Sequence, residues 1–214
     1  MRTGAVLLAG GKSLRMGCNK AELQIAGQSF LERIANELLG FAERLLSVGN
    51  TCTFRLDGFT AVQDIYPGCG PMGGLHAALV GCQSDELLVV TCDVPLFKCQ
   101  IGEYLVQCLT PDYDAVVAVT RDGCIHPFCG VYRKEMADLL EKQISEGQLC
   151  MRDAMDKMQL YCTDLTNTPY SDNCLANINT PDEYAVLLKT AQEDHVCSQN
   201  EYEKRPQNNF AGMT

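Results

Sequence analysis

Residues 5–20 read AVLLAGGKSLRMGCNK, and this stretch constrains the chain more than any other. Ala5 to Ala9 form a short apolar run that suits a buried parallel strand, ending in Gly10 and Gly11. Ser13 and Gly17 follow in the loop. Glycines let a backbone turn sharply and come close to a ligand, so successive amide N–H groups can converge on phosphate oxygens. Lys12, Arg15 and Lys20 add positive charge there, which suits a polyphosphate that must be neutralised before a nucleophile approaches. The loop is not a Walker A sequence, because Gly17 is followed by Cys18 and Asn19 where that motif needs Lys and Ser or Thr. The remaining possibility is a basic surface turn between a strand and a helix.

That basic loop is a local exception on an acidic chain. A net charge of -10 and a sequence pI near 4.7 predict a surface that repels nucleic acid and anionic membrane. No apolar run approaches the ~20 residues of a membrane span, and Met1-Arg2-Thr3 leads directly into the first strand without a signal peptide. We therefore expect a cytoplasmic protein. Its 214 residues are enough for one domain with a full core. The thirteen cysteines are odd in number and none stands in a C-x-x-C pair, which predicts free thiols rather than a disulfide framework or a zinc or iron–sulfur site. Cys18 and Cys69 fall in the loops of interest.

Strands and helices then alternate. Glu22 to Ile25 reads as a short strand, and Ser29 with Glu32 as a capping box opening a helix whose apolar face is Phe30, Leu31, Ile34, Leu38 and Leu39. Strands are expected at 44–48, 60–63, 87–91, 114–120, 129–132 and 159–164, and helices at 75–82, 98–109, 135–144 and 152–158. Residues 193–214 are polar and lack an apolar period, so we expect a domain over 1–192 followed by a disordered tail.

Two strand ends deliver carboxylates. Asp64 opens the loop DIYPGCGPMGG, in which Gly68 to Gly73 match G-x-G-x-x-G and Asp93 follows twenty residues later. This is a dinucleotide-binding pattern on paper, weakened by Pro71, which removes an amide donor from the turn. Asp93, in CDVP, ends the most apolar strand of the chain, where open α/β sheets place their ligands. One carboxylate facing phosphates is enough to bind Mg²⁺; its other reading is a cap for the next helix. His126 precedes Pro127, and we read it as structural. Near the C-terminus, Asn177-Ile178-Asn179-Thr180-Pro181-Asp182-Glu183 combines two bifunctional amides with a helix start, Thr180 as N-cap and Pro181 at the first helical position.

Three of these segments resemble the molybdenum cofactor guanylyltransferases, the MobA-like nucleotidyltransferase family. The loop is similar to L-x-G-G-x-S-x-R-M-G-x-x-K, CDVP to C-D-M-P, and 177–183 to N-I-N-T-P-x-[ED]; Asp64, Gly70, Pro71, Met72 and Gly74 follow a looser pattern. The resemblance implies a three-layer α/β Rossmann-like nucleotidyltransferase fold with a mostly parallel central sheet. It implies that Leu8, Ala9, Gly10, Gly11, Lys12, Ser13, Lys20, Asp64, Gly74 and Asp93 bind the nucleotide, with Asp64 and Gly74 bordering the guanine and ribose. It further implies that Arg15, Lys20 and Asp93 act on the phosphates, that Asp93 holds Mg²⁺, and that Asn177 and Asn179 lie on the pterin side.

The implied activity transfers GMP from GTP to the terminal phosphate of molybdopterin and releases pyrophosphate, with molybdoenzyme chaperones or apo-molybdoenzymes as partners. One departure stands out: Asn19 occupies the place where the family usually has Asp. Because the attacking phosphate is already ionised, no general base is required of His126. The alternatives are a cytidylyltransferase acting on molybdopterin, a nicotinamide-dependent oxidoreductase using the loop at Gly68, and a non-catalytic cofactor carrier.

Overall fold

The structure is a computed structural model and describes residues 1–10, 19–50, 54–165, 168 and 172–191. The expected tail and the loop residues Gly11, Lys12, Ser13, Arg15 and Cys18 lie outside the described residues.

Among the described residues, nine strands and six α-helices follow one another. They are β1 (Thr3–Leu8), β2 (Gln24–Ile25), β3 (Gln28–Ser29), α1 (Phe30–Glu37), β4 (Arg44–Ser47), β5 (Thr60–Val62), α2 (Gly70–Gly81), β6 (Glu86–Thr91), α3 (Cys99–Cys108), β7 (Ala115–Val119), β8 (Ile125–Arg133), α4 (Met136–Ser145), α5 (Met151–Met155), β9 (Leu160–Asp164) and α6 (181–191). Seven strands form one sheet in the order β5-β4-β1-β6-β8-β7-β9. All neighbours are parallel except those of β8, which runs antiparallel to both β6 and β7.

Alternation along the strands builds the two faces. Ala5, Leu7, Leu46, Leu88 and Val90 pack with α1 and α3 on one side, whereas Val6, Leu8, Leu45, Leu87 and Val89 pack with α2, α4 and α5 on the other. Side chains that point to opposite faces of the central strands are thus both covered, which is why these strands read as continuous apolar runs. A third, smaller core of Ile25, Phe30, Ile178 and Leu187 fastens α6 to the start of α1, aided by an edge-to-face contact between Phe30 and Tyr184.

The expected capping box at Ser29 and Glu32 is present, with both reciprocal hydrogen bonds. Several boundaries differ from expectation. Lys20–Glu22 forms a 3₁₀ turn, leaving only Gln24–Ile25 as strand, and Leu39 is exposed rather than part of the apolar face of α1. The helix expected from residue 75 begins at Gly70, because Pro71 falls in the first turn, where its missing N–H has no intrahelical role. The strand expected at 129–132 starts at Ile125 and carries His126-Pro127-Phe128 with it. The register against β7 jumps from Val117 opposite Gly130 to Ala118 opposite His126, so the segment around Pro127 bulges out of that ladder. The Tyr132 hydroxyl donates to the Pro127 carbonyl and braces the bulge.

Candidate active site

The C-terminal ends of β1 and β4, the loop after β5 and the first turns of α2 enclose a cleft of about 540 Å³. Leu8, Ala9 and Gly10 form one wall, Ser47 to Asn50 the next, and Asp64, Pro67 and the glycine-rich start of α2 the third; Asn19 closes the rim. Two glycines set its dimensions. A Cβ on Gly10 would lie 2.8 Å from the backbone nitrogen of Gly49, so only glycine lets the ends of β1 and β4 come this close. A Cβ on Gly74 would lie 2.7 Å from the Ser47 Oγ, so α2 can press on β4 only without one.

Asp64 sits beside both glycine contacts, its carboxylate oxygens 3.7 and 3.9 Å from the Cβ positions of Gly74 and Gly49. Burial pushes its carboxyl above the usual range. No hydrogen bond reaches this carboxylate among the described residues. It is an acceptor held half-buried in a cleft wall, able to take hydrogen bonds from a donor-rich ligand edge. The loop that carries it is tied down further along, where the Tyr66 hydroxyl donates to Glu141 Oε1 of α4 at 2.6 Å. The Tyr66 ring packs 5.4 Å from that of His76, a residue of α2 that is 1% exposed and has no hydrogen-bond partner on either ring nitrogen among the described residues.

Beside this cleft, on the β6 side, the second group of expected residues meets. Asp93 is half-buried past the end of β6 and accepts a hydrogen bond from the Thr91 hydroxyl through Oδ1. It caps no helix, since α3 starts at Cys99 after Lys98. The backbone N–H of Ile178 donates to the Asp93 carbonyl at 2.8 Å, which docks the Asn177–Asn179 run directly onto this strand end. Ile178 is buried while Asn177 is exposed and Asn179 half-buried. Lys20 donates from Nζ to Asn179 Oδ1. Residues separated by most of the chain thereby share one spot.

Local structure holds each of them. Thr180 caps α6, accepting from the Glu183 N–H at 3.2 Å, and Glu183 Oε2 takes the N–H groups of Asn179 at 2.6 Å and Thr180 at 2.9 Å. These bonds lower the Glu183 carboxyl below its ordinary value, with Lys20 contributing. Asn19 Oδ1 accepts from the Ala21 N–H at 3.2 Å and caps the turn that carries Lys20. Asn and Asp serve equally well in that position. The departure at Asn19 therefore keeps the local geometry and removes a negative charge from the rim of the cleft.

Asp93 is the carboxylate here that could hold a metal ion. Its Oδ2 makes no hydrogen bond among the described residues, the group is reachable, and a cleft large enough for a nucleotide opens beside it. Ser47, Asn50 and Thr91 are the residues of the site that sequence reasoning missed. Asn50 follows a strand and precedes no motif, so only its place in the cleft lining next to Gly49 reveals it.

The family model for the MobA-like NTP transferase domain matches residues 5–160. A protein of Carboxydothermus hydrogenoformans named "Probable molybdenum cofactor guanylyltransferase" is 32% identical over 86% of this chain and 93% of its own length. One of Clostridium perfringens with the same name is 31% identical over 88% of this chain and 98% of its own. Among solved structures, molybdopterin-guanine dinucleotide biosynthesis protein A of Archaeoglobus fulgidus shares the fold with a TM-score of 0.76 at 23% identity, covering 92% of this chain and 99% of that one. The 2-C-methyl-D-erythritol 4-phosphate cytidylyltransferase of Thermus thermophilus shares it at 0.67 and 13% identity, over 90% and 100% of the two chains. The chain belongs to the family of the MobA-like NTP transferase domain.

Proposed function

We propose that this nucleotidyltransferase moves GMP from GTP onto the terminal phosphate of molybdopterin, forming a dinucleotide cofactor and releasing pyrophosphate. The observation that carries the reading is the meeting of Lys20, Asp93 and Asn179 beside a glycine-walled cleft, joined by the bonds from Ile178 to Asp93 and from Lys20 to Asn179. The names of the relatives in Carboxydothermus and Clostridium support guanine and molybdopterin as the substrates.

In this reading the GTP base and ribose lie in the cleft, where Asp64 accepts hydrogen bonds from guanine N1 and N2 hydrogens that adenine and cytosine do not arrange in this way. Leu8, Ala9, Gly10 and Gly11 approach the nucleotide with backbone, Gly74 with its bare Cα, and Lys12, Ser13, Arg15 and Lys20 grip the phosphates. Asp93 would hold Mg²⁺, which supplies charge neutralisation on the α-phosphate and the leaving pyrophosphate. Asn177 and Asn179 hold the pterin substrate on the far side. The chain's work is positioning and electrostatics: an ionised phosphate is brought into line with the α-phosphorus, and cations meet the charge that develops. The nicotinamide reading is not favoured, since the Gly68 loop lines the same cleft as β1 instead of forming a site of its own. The cysteine usage and acidic surface support a cytoplasmic enzyme that passes its product to molybdoenzyme chaperones or apo-molybdoenzymes.

The test is pyrophosphate release from GTP and from CTP, each with molybdopterin and Mg²⁺. Release from GTP alone is expected. Release from CTP, or silence with both nucleotides, would overturn the assignment.

A further inference from the structure

His126 has a place in the site that its sequence context conceals. β8 runs antiparallel to β6, and its last pair on that side is Val90 with Cys129. The start of β8 thus lies at the end of the sheet where β6 delivers Asp93, and the Asp93 carboxylate is close enough for its charge to act on the His126 ring. The bulge around Pro127 keeps His126 at this end of the sheet while Cys129 and Val131 continue into the core. β8 lies beyond β6 from the strands β1, β4 and β5 that frame the nucleotide cleft. His126 therefore flanks Asp93 from the side opposite the nucleotide, where an in-line acceptor must approach.

Its hydrogen bonds fix which nitrogen is available. His126 Nε2 lies 3.3 Å from the Thr120 Oγ1. The single hydrogen of that hydroxyl is directed to acceptors only, Asp122 Oδ1 at 2.7 Å and the Cys124 carbonyl at 3.2 Å. Nε2 must then be the donor, which leaves Nδ1 with a lone pair. Among the described residues nothing donates to Nδ1, and it is not one of the sealed, unpartnered atoms of the core. Burial favours the neutral ring, against the pull of Asp122 and Asp93. A lone pair beside a carboxylate repels phosphate oxygens and calls for a hydrogen-bond donor.

We propose that His126 Nδ1 is a contact for the acceptor substrate, taking a hydrogen bond from an N–H group of its pterin, with Thr120 and Asp122 setting the tautomer. This rests on the reading of the acceptor as molybdopterin and names a further residue that selects it.

The test uses the two amides that mimic the two nitrogens: Asn places its oxygen near the position of Nδ1, and Gln reaches that of Nε2. Molybdopterin is titrated calorimetrically onto the full chain loaded with Mg²⁺ and a non-hydrolysable GTP analogue, with GTP affinity and pyrophosphate release measured alongside. His126→Gln should weaken molybdopterin about 2- to 12-fold, the worth of one neutral hydrogen bond, and leave GTP unchanged. His126→Asn should restore the affinity, and Thr120→Val should weaken molybdopterin in the His126 protein but not in the His126→Asn protein. Equal affinities in all variants, equal losses in Asn and Gln, or a loss of GTP and Mg²⁺ affinity in place of molybdopterin would overturn the proposal. Pyrophosphate release separates the two readings. Release by the wild type with unchanged molybdopterin affinity in His126→Gln removes the His126 contact alone; a wild type that neither binds molybdopterin nor releases pyrophosphate removes both.

Discussion

Replacing Gly74 by Ala should change sign with the residue at position 47. The added Cβ would sit 2.7 Å from the Ser47 Oγ, but 3.6 Å from Leu8 Cδ2 and 3.7 Å from Asp64 Oδ1, so one atom alone is too close. Ser47 is 2% exposed, so its hydroxyl has little room to turn away and α2 lifts from β4. Such overpacking costs about 1–3 kcal/mol, while Ala in place of Gly inside a helix gains about 1 kcal/mol. Gly74→Ala alone is then worth a net loss of about 0–2 kcal/mol, or up to about 8 °C in melting temperature for a chain of this size. With Ser47→Ala already in place, only ordinary contacts remain and the helix gain of about 1 kcal/mol survives. Thermal unfolding of the four proteins closes the cycle, with an expected coupling of about 1–3 kcal/mol. GTP affinity should fall in the single variant, as the cleft wall moves, and recover in part in the double. Equal effects of Gly74→Ala in both backgrounds, with coupling below about 0.5 kcal/mol, would refute the close approach of α2 to β4.

Three further outcomes are expected. Asp93→Ala should lower turnover about 100-fold or more, the usual size for one removed electrostatic element, and near wild-type rates in saturating Mg²⁺ would dismiss its metal role. Asp64→Asn should raise the melting temperature at neutral pH, because burial raises the Asp64 carboxyl and its charge opposes folding, yet narrow the preference for GTP over CTP; a lower melting temperature would contradict this. Burial holds His76 below its ordinary value against the pull of Glu141 and Asp138, so the unfolded chain takes up that proton first. Stability should be full above about pH 6.5 and fall as pH drops below it, and His76→Leu should reduce that slope in denaturant titrations.

Local signals were legible where chemistry and geometry coincide. Ser29 with Glu32 and Thr180 with Glu183 are caps whose residue types allow little else, and the strands with residues facing both covers read as unbroken apolar runs. The start of α2 was hidden because Gly70 and Pro71 disfavour helix interiors but not first turns. The front of β8 was hidden because Pro127 lacks a ladder donor, and the bulge that tolerates it leaves no pattern in sequence. Its direction was in reach: the short turn Arg121-Asp122-Gly123 between two strands is a hairpin signal, and hairpin partners run antiparallel. Lys20 and Asn179 were each singled out by a motif, but their bond spans a separation that no local pattern encodes.

The two halves of the site are finished at different moments of synthesis. Every described residue lining the cleft belongs to the stretch from Leu8 to Gly74, whereas the partner of Lys20 and the clasp on Asp93 come from residues 178 and 179. A nascent chain thus carries every described residue of the cleft lining well before α6 emerges to dock on Phe30. A chain cut short before Asn177 would keep every described residue of the cleft lining and lose both the bond to Lys20 and the clasp on Asp93.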